Sequence, residues 1–110
     1  MIVAVVLIVS LPPESAKPED VELTGTVTTT GTGATPEKIT FTSMRDDKTY
    51  VIDCVGDGNP ATYSISLPNE DSYTVKITWK AFGLFTGGEA DAGTLNLDET
   101  NESIVRNWAG

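Results

Sequence analysis

Tyr63-Ser64-Ile65-Ser66-Leu67-Pro68-Asn69-Glu70-Asp71-Ser72-Tyr73-Thr74-Val75-Lys76-Ile77-Thr78-Trp79 is the stretch whose reading decides the fold. Apolar side chains recur at every second position on either side of Pro68–Asp71: Tyr63, Ile65 and Leu67, then Tyr73, Val75, Ile77 and Trp79. Helical geometry would scatter such a set around the axis, whereas a pleated strand places it on one face. Pro, Asn and Asp between the two runs are turn formers, so the stretch reads as two strands joined by a reversal.

The same period extends in both directions. Towards the N-terminus, Gly56-Asp57-Gly58-Asn59-Pro60 is a turn, and Tyr50, Ile52 and Cys54 alternate before it. Arg45-Asp46-Asp47-Lys48 reverses the chain after Ile39 and Phe41, and Val21, Leu23 and Val27 share a face with Gly25 between them. Towards the C-terminus, 93–97 and 103–108 are weaker runs of the same kind. The expectation is an all-β domain over residues 21–110, a seven-stranded antiparallel β-sandwich. Its expected core is Ile39, Phe41, Tyr50, Ile52, Tyr63, Ile65, Tyr73, Val75, Ile77 and Leu95.

Two short stretches precede this domain. Met1 to Val9 is wholly apolar, and six of its nine residues are Val or Ile, which favour extended backbone. As a helix it would span only about 14 Å, half of a bilayer's hydrocarbon thickness. Residues 1–10 therefore read either as an extra apolar strand or as the remnant of an export signal or membrane anchor. A signal would want a basic region before the run and small residues after it, and neither is present. Residues 11–20 hold three prolines among charged residues and read as an extended linker.

Composition removes several functions. The 110 residues carry 16 acidic and 7 basic side chains, a formal charge of −9 that repels phosphate backbones and anionic headgroups. No histidine is present, so the commonest general base and zinc ligand is missing, and one cysteine cannot form an internal disulfide. Cys54 shares parity with Tyr50 and Ile52, so it is expected to face the core, and its acidic neighbours disfavour a thiolate. No enzyme activity and no cofactor are expected.

The order of motifs resembles the carboxypeptidase regulatory-like domains, which have a transthyretin-like, or prealbumin-like, sandwich. The residues carrying the resemblance are Gly25-Thr26-Val27-Thr28, Ile39-Thr40-Phe41, Asp57-Gly58-Asn59, Tyr63-Ser64-Ile65, Leu67-Pro68 and Ser72-Tyr73-Thr74-Val75-Lys76-Ile77. The likeness spans roughly 21–108. It departs at Pro60-Ala61-Thr62, which is inserted, and at Asp71, where the family has Gly. It implies architecture and a structural, adhesive or carbohydrate-contacting role on secreted or cell-surface proteins; fold alone does not fix function.

Candidate site residues fall into four sets. Asp53, Asp57 and Asn59 offer hard oxygen ligands for calcium, although Asp-Gly-Asn is also what a tight turn wants and the spacing is not that of an EF-hand. Phe82, Phe85 and Trp108 could form an aromatic contact surface for a sugar or protein. Asn101-Glu102-Ser103 fits the N-glycosylation pattern at Asn101. Ile2, Val3, Val5, Val6, Leu7, Ile8 and Val9 would be the contact residues of a strand donated to an open sheet edge. Two roles follow: an extracellular or cell-surface structural module that self-assembles or joins a partner through strand addition, or a small carbohydrate- or ligand-binding module.

Overall fold

The computed structural model describes residues 17–30, 34–80 and 87–110. The expectations for Met1 to Val9 and for Phe82 and Phe85 lie outside the described residues. The described chain is all-β, with eight strands: β1 (Asp20–Thr28), β2 (Pro36–Ser43), β3 (Thr49–Asp53), β4 (Ala61–Pro68), β5 (Asp71–Trp79), β6 (Gly88–Leu97), β7 (Ser103–Val105) and β8 (Trp108–Ala109). One sheet has β1 between β4 on one side and β7 with β8 on the other; the second has the order β3-β2-β5-β6.

The alternation read from Tyr63 to Trp79 sets the inward faces. Leu67 pairs with Val21, and Ile65 with Leu23; in the other sheet Ile39 pairs with Ile77 and Phe41 with Val75. These side chains meet in one core to which both sheets contribute, with Val21, Leu23, Val27, Ile39, Phe41 and Ile77 wholly buried. Phe41 links the layers, its ring centroid 6.1 Å from that of Tyr63 and 6.2 Å from that of Trp108.

Two details of the expected architecture are corrected. The final run of 103–108 is two short strands rather than one, and both pair with β1 in parallel, so the sheets are not purely antiparallel. The break has a local cause. The carbonyl of Arg106 lies 2.0 Å from where a Cβ on residue 25 would stand, a close approach that only Gly25 permits. Asn107, which stays exposed, then turns its side chain toward β1, and its Oδ1 accepts the Thr26 N–H at 2.9 Å, in place of a backbone carbonyl. The second correction concerns Tyr50, Ile52 and Ile65, which face the core side but are only half-buried. They lie on β3 and β4, the outermost strands of the two sheets on one flank, where neither sheet extends further over the other.

Polar ties hold the end at which the chain enters. Asn69 is buried in the β4–β5 turn; its Nδ2 donates to the carbonyls of Pro18 and Glu99, and its Oδ1 accepts the Glu99 N–H at 3.0 Å. One side chain thus joins the segment before β1, the β4–β5 turn and the β6–β7 connection. On β6 the register shifts against Val75 and Lys76, leaving Ala92 as the extra residue, and Gly93 takes φ +118° there.

Ile77→Ala removes a fully buried side chain at the centre of β5, and is expected to lower stability by about 2 to 5 kcal/mol. Chemical denaturation measures this; an unchanged midpoint would show that Ile77 is not in the core.

Candidate functional site

The described residues leave their chemistry mostly spent on structure. Among them no group of three or more His, Cys, Asp or Glu side chains is placed to hold a metal ion. Asp53, Asp57 and Asn59 are all exposed, and Asn59 is engaged elsewhere: its Oδ1 accepts the Thr29 N–H at 3.0 Å and its Nδ2 donates to the Thr29 carbonyl at 2.9 Å. The Asp57 contact that the structure shows is through its carbonyl, which accepts from the Thr35 hydroxyl. Asp-Gly-Asn here serves a turn that clamps the end of β1.

Trp108 is likewise committed to packing. Its indole stacks edge-on against Phe41, and its Nε1–H donates to the Tyr63 hydroxyl at 3.0 Å. That hydroxyl donates in turn to the Arg106 carbonyl at 2.8 Å. Burial raises the Tyr63 pKa above its ordinary value, partly offset by the hydrogen bond from Trp108. The aromatic ring that does meet an open groove is Trp79. It lines a depression of about 460 Å³ with Glu37, Thr78, Lys80 and Glu89, beside the position where the Phe82 to Phe85 loop leaves β5. Asn101 is exposed.

The sheet edges carry the remaining unsatisfied character. β3 is an edge strand whose even-numbered residues turn their backbone groups to β2: the Cys54 N–H donates to the Glu37 carbonyl, and the Ser43 N–H to the Lys48 carbonyl, each at 2.8 Å. By antiparallel alternation, Thr49, Val51 and Asp53 direct N–H and C=O outward. On β4, Thr62 exchanges both of its bonds with Val55, a single bridge beyond the end of β3; Ser64 and Ser66 point the same way with no strand opposite among the described residues. Among the described residues, nothing pairs with the outer edge of the ten-residue β6.

These edges differ in their side chains. Outward positions on β4 are Thr62, Ser64 and Ser66, and on β6 they include Glu89 and Asp91, all exposed and polar. β3 carries apolar side chains on both faces, as does the three-residue β7 edge, where Ile104 is half-buried and Val105 65% exposed. Tyr50, Ile52 and Cys54 lie half-buried on the inner side, while Val51 is 52% exposed and Val55, just past the strand, 68%. The sequence signal for this was present, since Tyr50-Val51-Ile52 and Cys54-Val55 break the alternation, but parity alone draws the eye to the inward set.

No helix among the described residues is long and apolar enough to cross a membrane. Compared with protein-family models, curated proteins and solved structures, the chain matches none.

The Cys54 thiol gives a local probe. Burial, reinforced by the neighbouring Asp53 carboxylate, pushes its pKa up to about 11. Alkylation by a small neutral reagent is expected to keep rising about tenfold per pH unit up to about pH 10, with no plateau above pH 9 as for a free thiol. A plateau near pH 9 would mean that Cys54 is solvated like an unfolded thiol.

Proposed function

We propose that this protein is a non-catalytic structural module that joins copies of itself, or a partner, through β-strand addition. The observation that carries the reading is the pairing of open sheet edges in the described domain with a nine-residue, β-branched apolar run at Met1 to Val9. A strand of that composition needs cover from water, and an open edge needs backbone partners. The finer architecture we propose is transthyretin-like, supported by the order of the motifs: Gly25 to Thr28 lie on β1, Ile39 to Phe41 on β2, Tyr63 to Pro68 on β4 and Ser72 to Ile77 on β5. An extracellular or cell-surface setting is part of the same proposal, and Asn101 fits it as a glycosylation acceptor.

Ligand binding is the second reading, favoured by the groove beside Trp79. An indole flanked by the carboxylates of Glu37 and Glu89 and the amine of Lys80 combines a stacking surface with hydrogen-bonding groups, the chemistry a sugar ring requires. In this reading Trp79 takes the place that sequence alone gives to Trp108.

Sedimentation of the full chain over a range of concentrations separates the two. Strand addition predicts species larger than a monomer, growing with concentration in the absence of any ligand, and their loss when Val5 and Leu7 are replaced by Asp. A full chain that stays monomeric at high concentration, with or without those substitutions, would overturn the assembly reading.

A further inference from the structure

Resting on that reading, we infer that the acceptor is the β3 edge, and that its occupant is the apolar run Met1 to Val9 of a second copy of this chain. Three observations select this edge. Its outward backbone groups at Thr49, Val51 and Asp53 have no strand opposite them among the described residues. Its inner side leaves Tyr50, Ile52 and Cys54, together with Ile65 of β4 across the flank, half-buried although they face the core side. Its outer side exposes Val51 and Val55, and Met44 in the preceding turn is 60% exposed.

The third observation decides between edges. A strand added to the rim of a two-layer domain ordinarily needs apolar side chains on one face only, because its other face meets water. Met1 to Val9 is apolar on both: Val3, Val5, Leu7 and Val9 on one, Ile2, Ala4, Val6 and Ile8 on the other. Of the described edges, only β3 and β7 offer apolar neighbours on both faces, and β7, with Ile104 inward and Val105 outward, is three residues long against five for β3, too short to pair with a run of nine. Beside β3, one set covers Tyr50, Ile52 and Ile65, and the other lies next to Val51 and Val55. Against β6 the outward set would meet Glu89 and Asp91, and against β4 it would meet serine and threonine hydroxyls.

The chain's route fits exchange between copies. Residues 17–19 are tied beside Asn69 at the foot of β1, which is the central strand of its sheet, and β4 lies between that point and the β3–β4 flank. Ahead of that tie, residues 11–16 include Pro12 and Pro13, and in an extended form at roughly 3 Å per residue they would carry the apolar run about 18 Å away from its own body. Head-to-tail contacts of this kind are heterologous and build open chains when the rotation does not close.

The test uses Cys54, the only cysteine, which lies at the end of this flank. In the full-length protein, Val51→Lys puts a charge on the exposed outer side of β3 and is expected to abolish assembly while leaving the circular dichroism and thermal midpoint of the domain in place. Thr94→Lys, on the exposed side of β6, is expected to leave assembly intact. Assembly is expected to slow maleimide labelling of Cys54 by about tenfold or more, and Val51→Lys to restore it. Single cysteines placed in turn from Ile2 to Val9 are expected to form disulfides with Cys54 between differently tagged copies at alternate positions only. Assembly that survives Val51→Lys with Cys54 freely labelled would overturn the β3 assignment while strand addition stands. Disulfides within one copy would overturn the second copy as occupant. Absence of assembly in the unaltered protein would remove the strand-addition reading itself.

Discussion

The Arg106 carbonyl passes so close to Gly25 that no other residue fits there, and this crossing organises the flank on which the chain finishes. Having come that near, the backbone cannot continue a regular ladder along β1. Asn107 restores the missing acceptor for Thr26, and Trp108 swings under the sheet to meet Phe41 and the Tyr63 hydroxyl. Tyr63 is therefore buried with its oxygen both donating and accepting, which spares the core an unpaired polar group that would cost about 1 to 3 kcal/mol. Three aromatic rings and one glycine close this side of the domain, and the last residues of the described chain are spent in doing so.

Among the described residues, the opposite flank has no such closure. There β3 and β4 belong to different sheets and are joined by the single bridge between Val55 and Thr62. Half-burial of Tyr50, Ile52 and Ile65 follows from that asymmetry. Tyr50 is partly compensated, its ring meeting Tyr73 edge-on at 6.1 Å and lying under the Lys48 amine at 5.5 Å.

Strand positions were legible because period two survives wherever one face is wet. Tyr63 to Trp79 gives β4, its turn and β5 directly, and Ile39, Phe41, Val75 and Ile77 are buried as their parity requires. What the alternation could not convey is contact across long sequence separations. The parallel pairing of β7 and β8 with β1 depends on Gly25 meeting Arg106 some eighty residues later, and neither residue announces the other. The same holds for Asn59, which reads as a turn or a calcium ligand until Thr29 is seen against it, and for Asn69, whose partners at Pro18 and Glu99 come from two other, separate segments of the chain. Trp108 looked available because parity is silent on which strand lies opposite. The apolar outer side of β3 was written in Val51 and Val55, yet a reading built on inward faces passes over outward ones.

Charge sets the terms on which copies of this domain can meet. At −9 per chain, two copies repel at long range, and a Debye length of about 8 to 10 Å at ordinary ionic strength leaves close approach unfavourable wherever carboxylates face one another. Acidic side chains crowd the β6 flank and the connection beyond it, at Glu89, Asp91, Asp98, Glu99 and Glu102. On β3 Asp53 is the sole carboxylate, at the strand's end, with Lys48 just before its start. The acidic edges are thereby guarded against adventitious pairing in the way edge strands usually are, by charge. An uncharged run such as Met1 to Val9 carries no repulsion of its own, so it can approach an acidic body that another copy's folded surface cannot. In the assembly we propose, apolar contact at β3 would add to backbone pairing, whereas at β6 it would have to be made against desolvated carboxylates.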